Sequence, residues 1–265
     1  MSILKSPIVK CAERLCRATK FLPTGLCYLC QQPANAPVCM VCEQDCLFFN
    51  NQLTNNNLLL WPSIKRGLTR GNYGQLCALS YYQWPLNYLV RQFKYGHPKL
   101  ASLLTEWFIR YTAVSTEPLP DMLLPVPISP WRYAQRQYHQ TLLLANQLGK
   151  QLNIAVNPGW AYRRGWQASQ QSLGRRARLK NLRHAYQLHA GTLPERVAIV
   201  DDVVTTGATI AALSRMIYQH SPHTSISVWA LAVTPVKADE QVLIPAHEIN
   251  HQAVISPAAT RLHQT

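Results

Sequence analysis

The segment VAIVDDVVTTGATIAAL, residues 197–213, narrows what this chain can fold into more than any other. A near-continuous apolar run ends in two acids, Asp201 and Asp202, as expected of a strand buried on both faces of a parallel sheet. A short loop, residues 203–207, follows, and a helix is expected from about Ala208. In open α/β sheets, ligands bind outside the carboxyl ends of the strands. Free amides in such a loop and in the first helical turn point at an incoming anion, and the helix dipole favours negative charge. Thr205, Thr206 and Thr209 add hydroxyl donors, and Gly207 lets the backbone approach a phosphate with no Cβ in the way. Two carboxylates repel a bare phosphate, so they must face something else. The 2′- and 3′-hydroxyls of a ribose suit them, directly or through a divalent cation. The loop has neither the Gly-x-x-x-x-Gly-Lys of a Walker loop nor the Gly-x-Gly-x-x-Gly of a dinucleotide fold. The competing reading is that the acids merely cap the next helix.

The flanking patterns extend this unit into a sheet. QLCALSYY (75–82) reads as a strand, and residues 86–108 as a helix, a turn at 95–98 and a second helix. MLLPVPIS (122–129) reads as a short strand ending in prolines, and residues 135–152 as one long helix. Residues 160–190 are basic, with helical character from about Leu173. TGATIAALSRMIYQH (206–220) reads as a helix and SISVWALAV (225–233) as another buried strand. Strands alternating with helices predict an α/β fold with a parallel sheet and right-handed crossovers. The expected divisions are a basic amphipathic helix at 1–24, a cysteine-rich module at 25–50, and a linker, strand and helical hood region at 51–118. The core follows at 119–238, with a patternless tail at 239–265.

Cys27-x-x-Cys30 and Cys39-x-x-Cys42 form two knuckles whose four thiolates are in tetrahedral reach of one Zn²⁺. A redox pair wants one Cys-x-x-Cys opening a helix, not two pairs. With its shell closed by four sulfurs, such a metal is structural. Cys11, Cys16, Cys46 and Cys77 read as buried or incidental thiols. No apolar run is long enough to cross a membrane, so no membrane insertion is expected. The start lacks a secretory apolar region, which makes the cytoplasm the expected compartment. The net charge is +14, and residues 122–194 contain no acid at all while holding Arg132, Arg136, Arg163 and Arg178. So much like charge favours a polyanionic partner, nucleic acid or pyrophosphate, and a merely solvated basic face is the equally weighted alternative for a charge run alone.

The acid pair followed by Thr-Thr-Gly-Ala-Thr resembles the loop of type I phosphoribosyltransferases that binds phosphoribosyl pyrophosphate (PRPP). The resemblance implies that Asp201 and Asp202 hold the ribose hydroxyls, with Mg²⁺ on the pyrophosphate side. It also implies that Thr205, Thr206, Gly207, Ala208 and Thr209 cradle the 5′-phosphate. LLPVPISPWRYAQRQYHQ (123–140) is similar to the Pro-Val-Pro strand and Arg-Gly-Phe-Asn-Gln element of the ComF/GntX family, matched by Arg136, Tyr138 and Gln140. Gln137 and His139 depart, standing where Gly and Asn are usual. SQQSLGRRARLKNLRHAY (169–186), with Arg178, and Lys94-Tyr95 after residues 86–93 fit the same family, as does Arg163. The implied fold is a type I phosphoribosyltransferase-like sheet with an N-terminal zinc ribbon. Arg132 and Arg136 would serve the diphosphate, and the basic stretch 163–178 would form a flap over the site.

Two functions follow as expectations. One is a protein that binds PRPP or a nucleotide in natural competence, handling single-stranded DNA beside DNA-uptake proteins. Trp131, Trp160, Trp166 or Tyr162 would then stack on bases, against the plainer reading of ordinary packing. The other is a catalytically active phosphoribosyltransferase with an unidentified acceptor, in which Asp201 and Asp202 serve catalysis and Asp202 positions ribose or handles a proton. Oligomeric state stays open, with a homodimer among the forms allowed.

Overall fold

A computed structural model of the chain describes residues 25–49, 56–112, 118–163, 185–189 and 191–234. The amphipathic segment 1–24, most of the basic stretch with Trp166 and Arg178, and the tail 239–265 lie outside these residues. The chain divides into two compact units, Met1–Asp45 and Cys46–Thr265. In the smaller unit, β1 (Gly25–Leu26) pairs antiparallel with β2 (Pro33–Ala34), and a short helix α1 (Met40–Gln44) follows.

The larger unit is built on a five-stranded sheet. Its strands are β3 (Gln75–Tyr81), β4 (Met122–Pro125), β5 (Ala155–Val156), β8 (Arg196–Val204) and β9 (Ser225–Val233), in the spatial order β3-β9-β8-β4-β5. Every pairing in it is parallel. In β8, Val197, Ala198, Ile199 and Val200 are essentially inaccessible to solvent, as a strand covered on both faces requires. A separate antiparallel hairpin joins β6 (Ala161–Arg163) to β7 (Tyr186–Leu188).

A one-turn helix, α2 (Pro62–Lys65), precedes β3, and longer helices cover the sheet because their apolar residues recur at helical spacing. In α3 (Leu86–Lys94), Leu86, Leu89, Val90 and Phe93 are buried, which leaves Lys94 as the last residue of the buried face's turn. A turn leads to α4 (Leu100–Thr112), where Leu100, Leu104, Trp107 and Phe108 are buried. In α7 (Ala208–His220), Ile210, Leu213 and Ile217 pack into the core with Val197 and Ile199 of β8.

The stretch expected as one helix over 135–152 is two, α5 (Pro130–Arg136) and α6 (Gln140–Leu152). The break has a local cause. Gln137 closes α5 in the left-handed region, at φ 62°, and the Nδ1 of His139 accepts the N–H of Leu142 to cap α6. Ser129 caps α5 by accepting the N–H of Arg132. Trp160 is core rather than a stacking surface: it is 2% exposed, and its Nε1 donates to the carbonyl of Pro125 at 2.9 Å.

Candidate functional site

From β4 the chain steps outward to β5, then returns through the β6–β7 hairpin to β8 on β4's other side. The strand order therefore reverses between β4 and β8. The crevice outside their carboxyl ends is where such sheets take ligands. Val126 still follows the ladder there, its N–H donating to the carbonyl of Val200. One residue later in β8 comes the acid pair.

Neither acid caps α7. Its N-cap is Gly207, at φ 66° and with no side-chain cap bond. A Cβ at Gly207 would sit 3.2 Å from the Leu68 side chain, so both the backbone angle and the close approach call for glycine. The turn is tied from outside by the N–H of Thr69, which donates to the carbonyl of Thr206 at 2.8 Å. Among the described residues, none accepts a hydrogen bond from the backbone N–H of Thr205, Thr206, Gly207, Ala208 or Thr209. Thr205 and Thr206 are exposed. This is a helix N-terminus with its amides available to an anion.

Successive residues of a strand point to opposite faces, and the two acids take different neighbours. Asp202 is buried, with Lys94 Nζ 3.0 Å from its Oδ1 and Arg136 Nη1 3.9 Å from its Oδ2. Arg136 is held by Gln140, whose Oε1 accepts at 3.0 Å, and by the Tyr95 ring 5.5 Å from its guanidinium carbon. Asp201 turns its Oδ1 to the N–H of Asp202. Burial first, and the charge of Asp202 second, push Asp201 up to about 7. On the other side stands Tyr186, raised by burial and opposed by nearby Arg163 and a hydrogen bond with Thr209. Arg163 lies over the Tyr186 ring at 5.8 Å. Arg132 is held below the usual arginine value by burial and then by the charges of Arg163 and Arg136.

The smaller unit has its own cluster. The sulfurs of Cys27, Cys30, Cys39 and Cys42 all lie within 4.8 Å of one another, and those of Cys30 and Cys39 are 3.8 Å apart. Four Zn–S bonds of about 2.3 Å in a tetrahedron put neighbouring sulfurs about 3.8 Å apart. The N–H groups of Leu29 and Cys39 both point at the Cys27 sulfur at 3.4 Å. Spacing and donor set fit a metal such as zinc, in a small zinc module.

No protein-family profile matches the chain. Individual proteins do. The DNA utilization protein YhgH of Salmonella typhi is 29% identical over 232 residues, 79% of this chain and 97% of that protein. Its counterpart in Escherichia coli strain K12 is 27% identical over 233 residues, with the same coverage. Competence protein F of Haemophilus influenzae is 30% identical over 223 residues, 78% of this chain and 90% of that protein. The chain belongs to the ComF family.

Within this ComF chain the two departures in the 136–140 element have structural counterparts. Gln137 adopts the left-handed angle that suits the glycine usual there, and His139 supplies the cap acceptor that an Asn would supply. Of the residues expected at the site, Asp201, Asp202, Arg136, Arg163 and the 205–209 loop share one edge of the larger unit, and Arg178 falls outside the described residues. The sequence marks Lys94 as a match to the ComF pattern but gives no sign of its ion pair with Asp202. The only signal is its position at the end of an amphipathic helix.

Proposed function

We propose that this chain binds a phosphorylated ribose, PRPP or a nucleotide, at the loop between β8 and α7, and that it works in natural competence, in the uptake or handling of single-stranded DNA. The observation that carries the ligand is the meeting of open amides at 205–209 with the acid pair under a group of cations. The amides of Thr205, Thr206, Gly207, Ala208 and Thr209 would take the 5′-phosphate. Asp201 and Asp202 would accept the ribose hydroxyls, and Arg132, Arg136 and Arg163 would face the diphosphate. Arg178, in the flap read from the sequence, would join them. Competence is supported by the names of the relatives, a competence protein and DNA utilization proteins. A single strand would find exposed Tyr95, Trp131, Tyr133 and Tyr162 beside these arginines, aromatic platforms within a basic field. The cysteine cluster would hold one structural Zn²⁺, with Cys27, Cys30, Cys39 and Cys42 closing its shell.

The test is PRPP binding by titration calorimetry. The parent chain is expected to bind, and Asp201→Asn with Asp202→Asn to abolish binding. Parent and double variant binding alike would remove the acid pair from the site. Salt-sensitive binding of single-stranded DNA is the expected companion result.

Asp201 favours a second reading, a catalytically active phosphoribosyltransferase. A carboxyl group pushed to about 7 is matched to proton transfer near neutral pH, which makes Asp201 a candidate for that role beside Asp202. Pyrophosphate released from PRPP in the presence of nucleobases would establish it. None released, with DNA bound, would leave the accessory role.

A further inference from the structure

The acid pair is already countered by protein cations. Lys94 Nζ is 3.0 Å from one oxygen of Asp202 and Arg136 Nη1 is 3.9 Å from the other. One oxygen of Asp201 accepts the N–H of Asp202. Three of the four carboxylate oxygens therefore have a donor or a cation before any ligand arrives. Arg132 feels the charge of both carboxylates, and Arg163 lies close enough to act on Arg132, so four cations gather around the acid pair. Burial first, then Arg163 and Arg136, disfavour the charge on Arg132. Arg136 also keeps a buried Nε that donates to no described residue. An unmet guanidinium N–H at this depth is unfavourable, and an anionic oxygen would satisfy it.

Mg²⁺ wants near-octahedral oxygen ligands at about 2.0–2.1 Å and sheds its own water reluctantly. To reach Asp202 it would have to displace an ammonium already in contact, against the repulsion of the guanidinium groups. Asp202 has no oxygen free for it, which leaves a single unengaged oxygen on Asp201, too few protein ligands for a resident ion. We propose that Lys94, with Arg132, Arg136 and Arg163, supplies here the countercharge that Mg²⁺ was expected to bring, so that the site binds a sugar diphosphate without a divalent metal. Lys94 is the pivotal member. When ribose hydroxyls engage Asp202, its ammonium is free to turn towards the incoming phosphate, keeping charge balanced as the ligand enters. The proposal rests on the sugar-phosphate reading of the loop.

Titration calorimetry on the full, zinc-loaded chain tests it with two probes, inorganic pyrophosphate and PRPP. Divalent ions are removed from the buffer by resin rather than by a soluble chelator, so that the cysteine cluster keeps its metal. Without Mg²⁺, both probes are expected to bind within about threefold of their affinity in millimolar Mg²⁺. Lys94→Gln is expected to weaken metal-free binding by about tenfold or more, with Mg²⁺ recovering part of the loss, while Lys94→Arg retains most of it. Pyrophosphate or PRPP bound only with Mg²⁺ overturns the proposal, as does a Lys94→Gln chain that binds both probes as the parent does. Metal-free pyrophosphate binding with no preference for PRPP would sink the ribose reading, and with it the sugar part of this inference, and would leave only the replacement of Mg²⁺ by protein cations at a diphosphate.

Discussion

Lys94 Nζ lies 3.0 Å from Asp202 Oδ1, and the two side chains keep only 15% and 13% of their surface in solvent. The pair ties the last residue of α3 to the carboxyl end of β8, so the docking of the helix and the charge of the site are one contact. Removing one member of a mostly buried pair strands the other, which costs more than the pair itself contributes. Lys94→Met is expected to lower stability by about 2–4 kcal/mol. Adding Asp202→Asn should return much of the loss, because the orphaned charge goes with it. Urea unfolding of the parent, both single variants and the double variant measures this coupling, and strictly additive effects would mean the contact carries no energy.

Gln137 holds φ 62° without a glycine's freedom. Left-handed backbone costs an ordinary residue about 1–2 kcal/mol. Gln137→Gly should therefore raise the midpoint of thermal unfolding, against a smaller loss from the freer unfolded chain. The side chain is exposed, so no packing is lost with it. An unchanged or lower midpoint would show that the Gln137 side chain is held by something other than its backbone geometry.

What could be read from the sequence was whatever a local pattern encodes. β8, its acid pair and the start of α7 are one contiguous stretch in which apolar run, loop and helix follow in order, and β3, β9 and α3–α4 show equally regular spacing. The cysteine cluster was legible because two knuckles carry their own geometry. What escaped depends on contacts between distant segments, or on angles that residue type hides. The break at 137–139 has no glycine or proline to announce it. The β6–β7 hairpin pairs three residues with three across a long intervening segment. Lys94 looks like any basic residue closing a helix until the fold brings it to Asp202. Trp160 reads as a stacking aromatic until its Nε1 is found bonded to Pro125.

Asp201 sets a pH dependence. Its carboxyl is pushed from the ordinary value near 3.8 up to about 7 by burial and by Asp202. A raised acid favours folding while it is protonated in both states, and that advantage is lost as pH rises from the unfolded value through the folded one. Every tenfold difference in proton affinity between the folded and unfolded chain corresponds to about 1.4 kcal/mol. Asp201→Asn mimics the protonated form at every pH. The variant should match the parent near about pH 4 and become the more stable of the two above about pH 7. Thermal melts of both chains across this range decide it, and a difference that does not grow with pH would show that Asp201 ionises without penalty.

The cysteine cluster sets a second one. Burial alone raises the Cys27 thiol, but N–H groups around its sulfur outweigh this and bring it down to about 6. Cys42 is pushed far above the usual thiol range by burial and by the three neighbouring sulfurs. Four sulfurs within 4.8 Å cannot all carry charge without a cation among them. Metal binding must therefore expel protons, chiefly from Cys42. One zinc per chain is expected in the purified protein, lost in Cys30→Ser with Cys42→Ser. Zinc uptake by metal-free chain should release protons, and its affinity should climb between about pH 6 and about pH 8. Elemental analysis and a pH-indicator titration read both quantities. A parent chain without zinc, or uptake indifferent to pH, would mean that these four thiols do not act as one ligand set.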